Sequence, residues 1–249
     1  MCDNLYITGA GVSAESGIPT FRGEDGYWTI GSANYTPQEM ATRRMYLNQP
    51  DEFLLWYFKR FAKYRNSLPN SVHKWLSNKK LITQNIDGLD RKAGNKSFIP
   101  IHGSIDKVTL FQSEAHTPEV EDAPWEEIQA EWDKNKNDAY LKKILLNAFK
   151  ISTKTLSPEQ NVSLKPFVLL FDEYYTDLYK ISKAEQMFNN TTNFIFMGTS
   201  FSVNITNMAL QSAIKNGCGI TIIDPKPINL NIPGVKYLEM TAQNYIKQF

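Results

Sequence analysis

Short apolar runs recur along the chain, at Leu5-Tyr6-Ile7, Leu81-Ile82, Phe98-Ile99-Pro100-Ile101, Phe167-Val168-Leu169-Leu170-Phe171, Phe194-Ile195-Phe196-Met197 and Ile220-Thr221-Ile222-Ile223. Each is too short to be a helix and gives way to polar or turn-forming residues, which predicts buried strands. Between them the period changes. Over residues 37–76, Met40, Met45, Phe53, Leu54, Trp56, Tyr57, Phe58 and Phe61 recur at spacings of three and four. That spacing predicts helices, with breaks at Pro50 and Pro69 and a cap at Asn70 or Ser71. The aromatic stripe reads as core, and His73 on the last of these helices as structural. Residues 88–94 suit a short returning helix, and 177–189 and 204–216 suit longer ones.

Residues 106–165 are charged, with Trp125, Ile128, Trp132, Tyr140, Leu141, Ile144, Leu145 and Phe149 at helical spacing between several prolines. Strands alternating with helices imply right-handed βαβ units and a parallel sheet. The predicted fold class is therefore α/β: a Rossmann-like parallel sheet with helices on both faces, plus a smaller helical module built from two insertions. The sheet domain takes residues 1–30, 77–105 and 166–249, and the module takes 31–76 and 106–165.

Composition narrows the partners. The chain has 249 residues, 42% of them hydrophobic, and a net charge of +1. No basic field points to nucleic acid or an acidic membrane surface. No apolar run approaches the ~20 residues of a membrane span, and residues 1–8 do not read as a secretory signal. The two cysteines, Cys2 and Cys218, imply a reducing compartment, and a cytoplasmic protein is expected. The segment 106–165 has no cysteine and His116 as its one histidine, so no metal site of zinc-binding spacing is expected there.

The chemistry lies where strands end. In an open α/β sheet, ligands bind at the carboxyl ends of strands. One apolar run leads into Gln84, Asn85 and Asp87, the next into His102 and Ser104. An amide pair, a carboxylate and an imidazole are expected to converge on one crevice, able to hold a polar ligand and move a proton. The first strand, residues 4–8, runs into Gly9-Ala10-Gly11-Val12-Ser13-Ala14-Glu15-Ser16-Gly17, read as a turn and the start of a helix. Such a turn suits a phosphate, with glycines giving close approach and a helix N-terminus offering N–H groups. Gly198-Thr199-Ser200 forms a second such turn. Asp224 tips a later strand, where a carboxylate can hold a ribose hydroxyl. Ile18 to Gly23 reads as a loop that closes on a ligand, with Phe21 and Arg22 in it.

Four motifs, in order, resemble the sirtuin family: Gly9 through Gly23, Thr83-Gln84-Asn85-Ile86-Asp87, His102-Gly103-Ser104 and Gly198-Thr199-Ser200. The resemblance implies NAD as cosubstrate and an acyl-lysine protein or peptide as the other substrate. By position it implies that Ala10, Gly11, Thr199 and Ser200 hold the pyrophosphate and adenosine ribose, with Gly9, Ser13, Gly198 and Asp224 in the same cofactor site. Ile18 and Asp87 would hold the nicotinamide carboxamide, and Gln84 and Asn85 the nicotinamide ribose. Phe21 would shield the ribose carbon and Arg22 belong to the cofactor loop. His102 matches the general base, joined by Asn85 and Asp87 as catalytic residues. Val168, Leu169 and Phe171 match the strand that pairs with the acyl peptide. The expected activity is NAD-dependent protein-lysine deacylation. An NAD glycohydrolase or ADP-ribosyltransferase, and a non-catalytic NAD or ADP-ribose sensor, are the alternatives. The chain departs from the family pattern in lacking the four cysteines of the usual zinc module. It also has Thr20 for an aspartate, Asp172 for a glycine and Asp224 for an asparagine.

Overall fold

The computed structural model describes residues 3–20, 35–112 and 118–249. In chain order the first elements are strand β1 (Asn4–Thr8), helices α1 (Pro37–Met40), α2 (Arg43–Asn48), α3 (Pro50–Tyr64) and α4 (Ser71–Leu76), strand β2 (Lys80–Thr83) and helix α5 (Leu89–Lys92). Strands β3 (Ile99–Pro100), β4 (Gly103–Leu110) and β5 (Val120–Asp122) follow, then helices α6 (Trp125–Lys134) and α7 (Asp138–Ala148) and strand β6 (Leu164–Val168). The chain closes with helix α8 (Ile181–Asn189), strand β7 (Asn193–Met197), helix α9 (Asn204–Lys215), strands β8 (Gly219–Asp224) and β9 (Lys236–Glu239) and helix α10 (Ala242–Ile246). Met1–Thr20, Ser67–Ile101 and Tyr179–Phe249 make one compact unit, and Phe21–Asn66 with His102–Leu178 a second.

The first unit is built on the expected parallel sheet, six strands in the order β3-β2-β1-β7-β8-β9. Strands covered on both faces read as unbroken apolar runs, and Leu5, Ile7, Leu81, Ile82, Phe194 and Phe196 are fully buried. On one face Tyr6, Leu81, Ile195, Met197 and Ile223 pack with Val72 and Leu76 of α4 and Ala242 and Tyr245 of α10. On the other, Phe188 of α8 lies 6.0 Å ring to ring from Phe194. Each such burial stabilises by about 1.5–3 kcal/mol. β1 sits between β2 and β7, so the strand order turns there, the place where doubly wound sheets open a crevice.

One local expectation changes, and two elements were not foreseen. No α-helix rises from Gly9. The chain instead makes two turns of 3-10 helix, Ala10–Val12 and Ala14–Ser16, closed by Gly17 at φ 79°. Bonds from Ser13 N to Ala10 O and from Gly17 N to Ala14 O keep each turn tight. β9 escapes the apolar pattern because it is a half-exposed edge strand, and α10 because it is only five residues long.

The second unit carries helices and also a three-stranded antiparallel sheet, order β5-β4-β6. The apolar run at 167–171 was expected to join the parallel sheet. Its strand instead begins at Leu164 and pairs antiparallel with β4, Gly103 opposite Val168. An apolar run reports burial and says nothing of its partner. Trp125 centres the helical core: its ring lies 6.1 Å from Phe58, 5.8 Å from Phe61 and 5.0 Å from Phe149. Its Nε1 donates to Ile105 O at 2.6 Å, so the indole is buried with its polar atom satisfied. Leu141 and Leu145 of α7 are fully buried with it. Apolar packing of this kind fills the interior of the unit. Among the described residues, no helix is long and apolar enough to cross a membrane.

Candidate functional site

At the carboxyl ends of β1 and β7, backbone packs on backbone. Gly9 N donates to Met197 O at 3.1 Å and Gly11 N to Gly198 O at 3.0 Å. A Cβ on Gly9 would lie 2.7 Å from Gly198 O, and one on Gly11 would lie 2.7 Å from Gly198 Cα. Gly198 itself has φ +60°, and its Cβ would meet Gly11 Cα at 2.8 Å. These glycines are required by one another before any ligand arrives. Among the described residues, the N–H groups of Ala10, Thr199 and Ser200 meet no protein acceptor. Three donors beside a glycine turn at a switch point are the means by which backbone holds phosphate, so this end of the sheet fits a dinucleotide.

The end of β2 supplies the side chains. Gln84 Nε2 donates to Thr8 O and to Thr199 Oγ1, each at 3.1 Å, so it spans the ends of β1 and β7. Asn85 is 9% exposed and donates to Gly9 O at 3.1 Å and to Ser13 Oγ at 3.0 Å. Ser13 Oγ donates to Asp87 Oδ2 at 2.7 Å, and Asp87 Oδ1 accepts from Leu89 N at 2.9 Å. Ser13 Oγ also lies 3.3 Å from His73 Nε2.

The tautomer of His73 follows from its other nitrogen. Asn70 N donates to His73 Nδ1 at 3.3 Å, so Nδ1 carries no proton. Burial lowers the His73 pKa, with the neighbouring Asp87 charge opposing it, which favours the neutral ring. Nε2 therefore holds the proton and donates to Ser13. The serine hydroxyl then accepts from Asn85 and His73 and donates to Asp87, which uses all its capacity. Both Asp87 oxygens are thereby aimed. His73, read from the sequence as structural, is fully buried. Its bonding role was missed, although the Asn70-x-x-His73 spacing is that of a capping box, which the structure forms.

Asp90, on α5, went unnoticed. It is 2% exposed, and among the described residues its Oδ1 meets no hydrogen-bond partner. Burial and the charge of Asp87 raise its carboxyl to about 7, against a lowering bond from Thr83. Of the remaining expected residues in this unit, Ile18 is buried and its N donates to Ser13 O at 3.4 Å. Ser200 Oγ pairs with Ser202 Oγ at 2.8 Å, and Asp224 Oδ1 accepts from Lys226 N at 2.8 Å. Phe21 and Arg22 lie outside the described residues, as do Cys2 and His116.

In the second unit, His102 stands where the chain enters β4. Its carbonyl accepts from Leu169 N at 3.0 Å. Gly103, at φ +83°, brings β4 so close to β6 that a Cβ would sit 2.0 Å from Phe167 O. His102 Nε2 lies 2.8 Å from the hydroxyl of Tyr175, and the two rings stack with centroids 5.8 Å apart. Val168 is buried, and Phe171 is 53% exposed with its N bonded to Ala41 O at 3.0 Å. Behind this strand, Lys165 Nζ lies 2.7 Å and 2.6 Å from the two Glu173 oxygens and 3.1 Å from Val168 O. Burial lowers the Lys165 pKa, and Glu173 opposes that. Asp172 does not stand alone: its carboxylate accepts from Arg43 N at 2.5 Å and Arg44 N at 3.0 Å, at the start of α2.

A family model described as Sir2 family matches residues 9–205. An NAD-dependent protein deacylase of Leptospira interrogans is 30% identical over 230 residues, 88% of this chain and 80% of that protein. NAD-dependent protein deacylase 1 of Archaeoglobus fulgidus is 42% identical over 127 residues, 48% of this chain and 50% of that protein. The chain thus spans about half the length of that relative. A solved structure of a Sir2 homolog–NAD complex superposes with a TM-score of 0.70 at 25% identity, covering 98% of this chain and 86% of that one.

Proposed function

The chain belongs to the Sir2, or sirtuin, family, and from that premise we propose that it is an NAD-dependent protein-lysine deacylase. The observation that carries the reading is the hydroxyl of Ser13, which locks Asn85 and Asp87 in place at the carboxyl end of β2. A carboxylate aimed by two donors can receive a carboxamide N–H without reorganising, which is the condition for electrostatic preorganisation. When bound, NAD supplies a nicotinamide–ribose bond to break and a ribose to take the acyl group.

The chain's own residues do the rest. The N–H groups of Ala10, Thr199 and Ser200 hold the pyrophosphate, with Gly9, Gly11, Ser13 and Gly198 shaping the turn. Gln84 and Asn85 hold the ribose beside the nicotinamide, while Asp87 and Ile18 hold the carboxamide. Phe21 and Arg22 belong to the same cofactor site, and Asp224 stands at its adenosine end. His102 is the general base that accepts a ribose hydroxyl proton, since imidazole titrates near neutrality. Val168, Leu169 and Phe171 form the strand along which an acyl-lysine peptide docks. A net charge of +1 supports a reading without nucleic acid or membrane as partner, and the two cysteines support a cytoplasmic setting. The glycohydrolase, ADP-ribosyltransferase and sensor alternatives gain nothing from the named relatives.

The test is direct. Incubation with NAD and acetyl- or longer acyl-lysine peptides is expected to yield free lysine peptide, nicotinamide and acylated ADP-ribose. Nicotinamide release that ignores the peptide, or NAD binding without any turnover, would overturn the reading.

A further inference from the structure

Two carboxyl groups, Asp87 before Gly88 and Asp90 within α5, share the end of β2 in opposite surroundings. Both oxygens of Asp87 are paired, Oδ2 with the Ser13 hydroxyl and Oδ1 with Leu89 N. Asp90 is 2% exposed, and the Thr83 side chain bonds its carboxyl. Its Oδ1 meets no partner among the described residues, and neither does the fully buried Thr8 Oγ1. Thr8 stands opposite Thr83 in the β1–β2 pairing, so the two hydroxyls share one face of the sheet. The charge set against Asp90 is that of Asp87. The basic groups on the surrounding elements, Lys74 of α4, Lys80 of β2 and Arg91 and Lys92 of α5, are exposed. Burial of His73 favours its neutral ring, so the imidazole brings no counter-charge.

A buried carboxylate is sustained by donors on both oxygens or by a counter-charge. Asp87 meets that condition and Asp90 does not, so the two acids divide the roles of anion and neutral acid. The raised Asp90 carboxyl, at about 7, agrees with this division. We propose that Asp90 is a positioning residue of the cofactor site: as a neutral acid it leaves Asp87 the one charge in the pocket, aimed at the nicotinamide carboxamide. This role presupposes the deacylase reading, in which Asp87 receives the carboxamide N–H. When Asp90 ionises, two like charges share a buried pocket. Relief comes at Asp87, by a turn of its side chain or the uptake of a proton, and either spoils the acceptor. Thr83 ties the same change to Asn85, whose N donates to Thr83 Oγ1 at 3.2 Å.

NAD affinity measured against pH by calorimetry tests this. In the wild-type protein the dissociation constant is expected to weaken about tenfold between about pH 6 and about pH 8.5, since closely set acids alter one another's proton affinity by about that factor or more. Asp90→Asn, neutral at every pH, is expected to lose that slope and to bind NAD about tenfold more tightly than wild type at about pH 8.5. A thermal melt checks that the variant is folded. A second measurement needs no variant. If NAD prefers the neutral form of Asp90, linkage requires that bound NAD raise the pH at which Asp90 titrates, which carbon-13 NMR of the carboxyl reads. A buried acid with a merely structural role would titrate alike with and without NAD. Equal slopes in wild type and Asp90→Asn, or an Asp90 titration that NAD lowers or leaves unmoved, would overturn this role while leaving the deacylase reading intact. Failure of the wild-type protein to bind NAD at any pH, by contrast, sinks the deacylase reading itself.

Discussion

Asn85 donates its side-chain amide to Ser13 Oγ at 3.0 Å, across 72 positions of sequence. That single bond ties the end of β2 to the turn that follows β1. It also fixes the direction in which Ser13 can send its own proton, which is to Asp87. The end of the parallel sheet is thus a network whose members set one another's roles.

Removing the centre of that network has a defined consequence. Ser13→Ala leaves an amide N–H, an imidazole N–H and a carboxylate oxygen without their partner. Each buried unpaired group costs about 1–3 kcal/mol. The expected outcome is NAD affinity weakened about tenfold or more in calorimetric titration, with Asp87 no longer aimed. An unchanged dissociation constant would show that Asp87 needs no such support.

Asp90 gives the stability of the protein a pH dependence with a definite sign. Its folded carboxyl is raised to about 7 by burial and by Asp87, whereas an unfolded aspartate titrates near ~3.9. Over that interval the folded chain holds a proton the unfolded chain has released. The stability this group contributes is therefore full below about pH 4 and lost as pH rises through about 7. Asp90→Asn is expected to melt above wild type at pH 8, the gap narrowing as pH falls towards about 4. The lowered pKa of His73 acts in the opposite sense, removing stability as pH falls below ~6.5. His73→Gln should flatten that acid limb in the same melting series. A gap between Asp90→Asn and wild type that does not vary with pH would remove the assignment.

Gly103 is expected to tolerate no side chain. At φ +83°, with a would-be Cβ 2.0 Å from Phe167 O, Gly103→Ala must open the β4–β6 pairing that follows His102. A loss of more than about 2 kcal/mol in denaturant unfolding is expected, together with loss of turnover. Wild-type stability in this variant would mean that the strand end yields without cost.

The pair of Lys165 and Glu173 is nearly dry, with side chains 6% and 9% exposed. Glu173→Gln leaves a buried ammonium with its counter-charge gone. Breaking one partner of such a pair costs about 3–5 kcal/mol, seen as a lower melting temperature. Lys165→Met combined with Glu173→Gln should recover much of it, since the orphaned charge is then absent. Equal melting of the single and double variants would contradict this.

The resemblance on which the activity rests could be read without coordinates. Gly9 through Gly23, Thr83 through Asp87, His102 to Ser104 and Gly198 to Ser200 are local strings, and strings survive in one dimension. The same holds for the strands of the parallel sheet, because a strand buried on both faces must be apolar along its length, as Leu5 to Ile7 and Phe194 to Met197 are. His73 and Asp90 were invisible as participants. A histidine among apolar helix positions looks the same whether it fills space or sends a hydrogen bond to a serine 60 positions away.

What the sequence by itself determined is the apolar strands of the parallel sheet, most of the helices and the residue types that follow the strands, since periodicity, glycine placement and motif order depend only on neighbours along the chain. Tertiary structure decided the partners. It sent the run around Phe167 into an antiparallel sheet, made Gly9, Gly11 and Gly198 necessary to one another, and set Tyr175 against the nitrogen of His102. Hydrogen bonds and backbone contacts between distant segments depend on distance in space, and no local pattern of apolar and polar residues encodes that distance.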